Sequence, residues 1–181
     1  MSKFVTIVDH GWEHLMQAAA DINGKTVEAG VFDDGSRPKP ARGSGVPASN
    51  VDIAIWQEYG VNIPVTVKMR WYLHFAGLHL KPTTTMIRIP ARPFMAQTAD
   101  KKGKDWQELA DKLTGAVFFQ QIPVPAALAQ LGSAMQGDIQ NTISSGHFRR
   151  LHPFTVRRKK SSRPLVDTGQ LRQSVSFKVV D

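Results

Sequence analysis

Apolar residues recur at two different spacings in the first quarter of the chain. Over residues 12–22 they repeat every three or four positions, which predicts an amphipathic helix that ends at Asn23-Gly24. Residues 26–32 instead alternate between apolar and polar positions, which predicts a strand. Residues 33–48 are rich in Gly, Pro, Ser and cationic side chains, so we expect a mobile loop there. The inner face of the first helix is predicted to consist of Trp12, Leu15, Ala19 and Ile22.

A second helix is predicted over residues 51–59, with Ser49 or Asn50 as its N-cap and Gly60 at its end. The stretch 61–88 that follows has a less regular pattern. Residues 65–75 mix β-branched, aromatic and basic side chains, and residues 83–89 alternate strongly. We interpret this stretch as two strands joined by an irregular connector, forming an arm that reaches away from the core.

The second half of the chain predicts two long helices and a final strand. A stiff connector with two prolines, residues 89–95, leads into the first helix, and Pro123 and Pro125 end it. Gly132 and Gly137 interrupt the second helix, where we expect close packing against a neighbour. The predicted inner faces are Trp106, Leu109, Leu113 and Val117 on the first helix, and Leu128, Leu131, Met135, Ile139 and Ile143 on the second.

Residues 175–179 alternate again and complete the predicted order: helix, strand, helix, strands, helix, helix, strand. This order predicts an α+β fold, with a mixed or mostly antiparallel sheet packed against two to four helices. At 181 residues the whole chain, 1–181, is expected to form a single domain.

Composition narrows the classes of chemistry. The chain has no cysteine, which excludes disulfides, thiolate zinc sites and cysteine nucleophiles. The first ten residues lack the apolar run of a signal peptide, and no window approaches the ~20 apolar residues of a membrane span. We therefore expect a soluble, intracellular product with no membrane partner.

The formal net charge of +8 is unevenly distributed. Residues 147–164, predicted to be a basic loop, contain seven cationic side chains and no acidic one. Such a segment attracts polyanions, which leaves open a basic nucleic-acid-binding module. A solvated loop, or a charged face that meets an acidic partner subunit, is favoured, because a run of charges alone carries no specificity. The cationic residues are Arg149, Arg150, Arg157, Arg158, Lys159, Lys160 and Arg163.

The triplet Asp167-Thr168-Gly169 allows two interpretations. It is the triplet that carries the catalytic carboxylate of aspartic proteases, which need two such groups sharing a proton. It is also suited to a turn in which Asp167 caps a short helix, with Gln170 as its capping-box partner. Because the following residues prefer helix and few residues remain after them, the second interpretation is favoured.

Other catalytic and metal-binding patterns are weak. His10 and His14 have a spacing that would place both on one helix face, but no acidic third ligand stands beside them, which favours a surface pair. The chain has no Gly-x-Ser-x-Gly nucleophile elbow and no Gly-x-x-x-x-Gly-Lys-Ser/Thr phosphate loop. We therefore predict a protein that is not an enzyme, with no catalytic, cofactor-binding or metal-binding residues.

Three segments, taken in order, resemble a known family. They are Val51-Asp52-Ile53-Ala54-Ile55-Trp56-Gln57-Glu58-Tyr59-Gly60, Ile89-Pro90-Ala91-Arg92-Pro93-Phe94-Met95, and residues 164–174 around Asp-Thr-Gly-Gln-Leu-Arg. Together they are similar to the virion morphogenesis, neck or tail-completion proteins of tailed bacteriophages and prophages. The long stretch between the first two segments departs from many relatives, which join these pieces more tightly.

The resemblance implies a structural protein that forms a ring, of six copies, at the head–tail junction or the top of the tail. It would be located in the virion and assembled in the host cytoplasm. Its partners would be other copies, other neck, connector or tail-terminator proteins, and DNA in the channel. The residues implied at its interfaces are Glu58, Tyr59, Gly60, Pro90, Arg92, Pro93, Phe94, Asp167, Thr168, Gly169, Leu171 and Arg172.

Overall fold

A computed structural model describes residues 11–33, 48–159 and 162–181. Almost all of the predicted loop 33–48 falls outside the described residues, as do His10 and Lys160.

The described residues form an α+β fold, which confirms the predicted class. The elements, in chain order, are α1 (Trp12–Ile22), β1 (Thr26–Val31), α2 (Asn50–Tyr59), β2 (Val61–Pro64), α3 (Val67–Phe75), β3 (Met86–Ile89), α4 (Phe94–Phe118), α5 (Val124–Ser145), α6 (Pro153–Lys159), α7 (Gln170–Gln173) and β4 (Val175–Val180). The strands pair as two separate antiparallel sheets, β1 with β4 and β2 with β3.

The two longest helices, α4 and α5, pack as a helical hairpin at the centre of the fold. Helix α4 has 25 residues, about 37 Å at 1.5 Å per residue, and α5 runs back along it. The indole Nε1 of Trp106 donates a hydrogen bond of 2.8 Å to Asp138 and ties the two helices together midway.

A separate apolar cluster lies at each end of this hairpin. The cluster at the start of α4, called here the motif cluster, contains Phe94, Ile139, Ile143, Leu165, Leu171 and Val175. The cluster at the end of α4, called here the far cluster, contains Ala18, Leu113, Val117, Val124 and Ala127. Most of the predicted inner positions of α4 and α5 belong to these clusters or pack against them.

The sheet of β1 and β4 lies against α5. Its register pairs Thr26 with Val180 and Val31 with Val175. A Cβ atom built on Gly132 would lie within 2.8 Å of three ring atoms of Phe177, so the predicted close packing at Gly132 is confirmed. At Gly137 a Cβ atom would meet nothing within 4 Å, so the same prediction is wrong there.

Residues 61–89 form a small lobe, and here the predicted pair of strands is partly wrong. Residues 67–75, read as strand, form helix α3, whose first turn is capped by the Thr66 hydroxyl, which accepts from the backbone N–H of Met69 at 3.1 Å. The strand that pairs with β3 is the short β2 directly after Gly60. The alternating pattern at 83–89 predicts β3 correctly, although the strand begins only at Met86.

Two local predictions near the C-terminus also need correction. The basic loop 147–164 contains a helix, α6, which Pro153 begins. Helix α7 is capped by Gly169 in the left-handed conformation with φ 79°, and no side chain caps it. Thr168, and not Asp167, lies nearest, with its hydroxyl 3.4 Å from the backbone nitrogen of Gln170.

The first two helices have nearly the predicted bounds, and the inner face of α1 differs in part from the predicted one. Trp12 is exposed, and Ala18 is the buried residue of α1. On α2, Ile53 and Ala54 pack against the motif cluster while Ile55 and Tyr59 are exposed.

Candidate interaction surface and the joint beneath it

The three segments that resemble the phage family meet in the motif cluster. Ile53 and Ala54 come from the first segment, Phe94 from the second and Leu171 from the third. Residues 40 or more positions apart in the chain are thus held together by one apolar core. We therefore interpret these three segments first by their role in folding: they form the joint that fixes α2, α4 and α7 relative to one another.

The Glu58 side chain caps the N-terminus of α4. Its two carboxylate oxygens accept hydrogen bonds from the backbone N–H groups of Met95 and Ala96, each at 2.9 Å. The N-cap position of α4 is Pro93, which provides no side-chain cap. A carboxylate from α2 therefore satisfies the first free N–H groups of α4, and its charge is favourable at the positive end of the helix dipole.

Arg92 lies buried at the same joint, with 4% of its surface exposed. Its backbone N–H donates to the carbonyl of Gln57 at 2.6 Å, and its guanidinium donates to Gln57 Oε1 at 3.0 Å and to the carbonyl of Arg149 at 3.3 Å. Burial, and the charge of Arg149 to a lesser degree, lower the pKa of Arg92. Arg92 therefore links the end of α2 to the start of the basic segment.

Gly60 permits the chain to turn from α2 into the lobe. It has φ 76°, and a Cβ atom there would lie 2.8 Å from the Ile89 carbonyl oxygen and from the Ala91 nitrogen. Only glycine combines this backbone conformation with so close an approach. The lobe is thus attached where its first and last strands converge.

This geometry divides the predicted interface residues into two groups. Three of them are buried within the chain: Arg92, Phe94 and Leu171. Gly60 packs against the backbone of residues 89–91, where the chain leaves the lobe. For these four residues an interior role replaces the predicted interface role. The exposed ones remain predicted interface residues: Tyr59, Pro93, Asp167, Thr168 and Arg172. Glu58, Pro90 and Gly169 are partly buried, and Glu58 has the structural role given above.

The Asp-Thr-Gly triplet lies in an exposed turn that leads into α7. The side chains of Asp167 and Thr168 are exposed, and Gly169 adopts the left-handed conformation that begins the helix. This is a helix-entry turn and not a loop within β-structure. The geometry matches the predicted turn into a short helix, although Gly169 and not Asp167 occupies the capping position.

Helix α3 turns its apolar face outward. Val67, Trp71 and Phe75 follow one another at spacings of four residues and are 75%, 60% and 80% exposed. The rings of Trp71 and Phe75 stack, with centroids 6.1 Å apart and planes 24° from parallel. We call these three side chains the aromatic ridge. Their spacing of four residues is typical of a helix, but the prediction of a strand for this segment overlooked it.

The inner side of α3 carries a cation, Arg70, beside the half-buried Met69 and Leu73. The guanidinium of Arg70 donates to the carbonyls of Lys81 at 2.9 Å and Thr84 at 2.6 Å, so it holds the segment between α3 and β3 against the helix. A charged side chain on the inner side and a large apolar stripe on the outer side depart from the usual arrangement of a surface helix. An exposed stripe of this kind is typical of a surface that another molecule covers.

Two histidines lie beside the ridge. His74 Nδ1 and His79 Nδ1 are 2.8 Å apart, and the His74 ring contacts both Trp71 and Phe75 edge-on. In the described part of the chain, no group of three or more histidine or carboxylate side chains is placed to share a metal ion.

A cleft separates α3 from the basic helix α6. Tyr72 contacts Arg158 through a hydrogen bond and through the face of its ring, 5.2 Å from the guanidinium carbon. The cleft has a volume of about 420 Å³, and Phe154 and Arg157 also line it. The fold thus places the lobe and the basic segment side by side, which the sequence does not indicate.

The cationic residues of the basic segment are not equivalent. Arg149, Arg150, Arg157, Arg158 and Arg163 are exposed. Lys159 instead donates to the carbonyls of Arg163 at 3.3 Å and Pro164 at 3.2 Å, and burial lowers its pKa. Lys159 therefore belongs to the local framework of this segment, while the exposed arginines form its outer charge.

No helix among the described residues has the length and apolar content needed to cross a membrane. Comparison of the chain with protein-family models, with curated proteins and with solved structures finds no match.

Proposed function

We propose that this chain is a non-enzymatic assembly subunit of a tailed-phage particle, which forms a ring at the head–tail junction and acts through protein–protein interfaces. The observation that carries the proposal is the outward-facing aromatic ridge of α3. Tryptophan and phenylalanine are enriched at the centres of protein interfaces. The resemblance of three ordered segments to neck and tail-completion proteins is the reason for proposing a tailed-phage particle.

The use of the family-like segments inside the fold supports this role. Catalytic groups converge in a pocket with shifted pKa values. Here the shared segments instead build the joint of Glu58, Arg92 and Phe94, which orients the lobe relative to the helical hairpin. A rigid joint that fixes the direction of an exposed lobe is what an assembly subunit requires.

The basic segment is proposed to face an acidic protein partner in the particle. Packaged DNA must slide through the channel, and strong phosphate binding would hinder it. Reversing the charges of Arg157 and Arg158, both exposed on α6, should then block stacking onto the neighbouring ring and leave DNA retention by preformed rings unchanged. Lost DNA retention with intact stacking would reverse this assignment.

A basic nucleic-acid-binding module is the second candidate. The cleft between α3 and α6 favours it, since Tyr72 and Phe154 lie there beside Arg157 and Arg158. Duplex or single-stranded DNA should then bind with steep salt dependence, each phosphate contact adding about 0.7–0.9 to the slope of log affinity against log salt. Binding that is weak, or independent of salt, would remove this candidate.

Particle assembly in the phage or prophage that encodes the chain tests the first candidate. A stop codon early in the gene should leave filled heads and separate tails that do not join. Adding the purified protein to such an extract should restore joined particles. Normal yields of joined particles in the absence of the protein would contradict the proposal.

A further inference from the structure

Charge is divided between two sides of the molecule. The stretches 59–99 and 139–166 hold 12 of the 23 cationic residues and none of the 15 acidic residues, which leaves 11 cationic against 15 acidic residues elsewhere. The fold brings the two acid-free stretches together at the cleft between α3 and α6. Among the residues that the structure describes, the two stretches hold 11 cationic residues and no acid, and the rest holds 7 cationic and 13 acidic residues, so the described lobe end is cationic and the described remainder net acidic.

The opposite end carries an apolar groove. It lies between α1 and the turn from α4 to α5, has a volume of about 220 Å³, and has Ala18, Val117, Ile122 and Val124 among its lining residues. A cavity of about 150 Å³ suffices for a benzene ring. The groove, called here the far groove, is thus large enough for one aromatic side chain.

The charge around the far groove is opposite to that of the lobe. Its polar lining residues are His14, Gln17 and Asp21, and Gln17 donates a hydrogen bond of 2.7 Å to the Asp21 carboxylate. Helix α1 contains Glu13 and Asp21 but no lysine or arginine. The lobe contains Lys68, Lys81 and Arg88 and no acid. An aromatic ridge in a cationic setting and a largely apolar groove beside an acidic side chain are complementary in polarity and in charge.

The chain cannot close this contact with itself. The lobe leaves the body next to Glu58, at the start of α4, whereas the far groove lies at the other end of that helix, whose 25 residues span about 37 Å. A second copy can provide the missing half.

We propose that the aromatic ridge of one copy docks into the far groove of the next, which gives a head-to-tail contact between identical chains. The inference rests on the proposed function, whose ring requires two different patches on each subunit. Trp71 and Phe75 are 60% and 80% exposed, so one ring is available to fill the groove and the other to contact its rim. Helix-in-groove docking with anchors at regular spacing is a common recognition mode.

Two variants and their mixture test the contact. The ridge variant, Trp71→Ser with Phe75→Ser, removes exposed side chains and keeps the groove. The groove variant, Gln17→Arg, places a long cation at the groove mouth and keeps the ridge, since Gln17 is exposed on α1. Val179→Ser, at an exposed position of β4, is the matched control. Circular dichroism and thermal unfolding establish that each variant folds like the wild type.

In sedimentation velocity, both variants should be monomeric alone, with self-association at least tenfold weaker than in the wild type and the control. Mixed one to one, they should form a complex of two chains and nothing larger, because each chain then has one competent patch. This restored pair is the expected result for a head-to-tail contact.

Other outcomes overturn the inference. A ridge variant that assembles like the wild type would show that a different surface is used, and the proposed ring would stand without this contact. A groove variant that still self-associates would indicate ridge-to-ridge pairing. Assembly that disappears on nuclease treatment would assign the ridge to nucleic acid. A restored two-chain complex, together with a particle that joins normally without the protein, would keep the contact and reject the proposed phage role.

Discussion

The ring of Phe177 on β4 lies directly against Gly132 on α5, so close that a Cβ atom on the glycine would come within 2.8 Å of three ring atoms. Gly132 is buried and lies opposite the centre of the β1–β4 sheet. The absence of a side chain at this one position lets the sheet approach the helix. The contact therefore sets the distance between the two layers of the fold.

Gly132→Ala should lower the free energy of unfolding by roughly 1–3 kcal/mol, because overpacking at Phe177 exceeds the gain in helix propensity. Gly137→Ala, five residues further along α5 in open space, is the control and should raise it by up to about 1 kcal/mol. Urea unfolding measures both. Equal effects of the two substitutions would contradict the close-packing account.

Glu58→Ala should cost about 1–2 kcal/mol of stability, because it leaves the N–H groups of Met95 and Ala96 without their cap. Glu108→Ala, at an exposed site within α4, should change stability by less than about 0.5 kcal/mol. Thermal unfolding compares the two variants. A Glu58 variant as stable as the Glu108 variant would mean that the predicted interface role is the main one.

Ser49 and Asp52 form a capping box, in which the Asp52 carboxylate accepts from the Ser49 backbone N–H and hydroxyl, each at 2.9 Å. These bonds, the backbone one first, lower the pKa of Asp52 below its ordinary value of 3.8. Because the pKa of Asp52 is lower in the folded than in the unfolded chain, its ionised form stabilises the fold at a pH above the unfolded-state pKa. This stabilisation is lost as the pH falls through the folded-state pKa.

Ser49→Ala should therefore cost about 1 kcal/mol near neutral pH and less at a pH well below 3.8. Urea unfolding at the two pH values gives the difference between variant and wild type. A deficit that grows on acidification would show that the sign of the Asp52 shift is wrong.

Asp167→Asn should change stability by less than about 0.5 kcal/mol, because the side chain is exposed. Leu171→Ala, four residues on and buried in the motif cluster, should cost about 2–5 kcal/mol. The same Asp167 variant tests the aspartic protease interpretation. A peptidase activity in the wild type that Asp167→Asn abolishes would reverse our account of the triplet.

The sequence predicts those elements whose formation depends on local chemistry. Regular apolar spacing locates α1, α4 and α5, and alternation locates β1 and β4. Capping residues also act locally, so Ser49 and Gly60 mark the two ends of α2 correctly. The close packing at Gly132 could be anticipated because a glycine inside a helix is costly without a neighbour that requires it.

The lobe was harder to predict because its helix turns the apolar side outward. Val67, Trp71 and Phe75 have helical spacing, but β-branched and aromatic side chains favour a strand if they are expected to be buried in a sheet. Here all three are exposed on a helix. The joint could not be predicted in detail, since the contact of Glu58 with Met95 depends on how distant segments pack. The nearness of α3 and α6 is likewise a tertiary property with no local signal.

The mass distribution of the purified wild-type chain tests the central claim most directly, since the account describes a protein that acts by assembling. Native mass spectrometry, with negative-stain images of the same sample, should show one closed multi-subunit species with a central opening. A chain that stays monomeric at every concentration, alone and in an extract containing heads and tails of its own phage, would contradict the account.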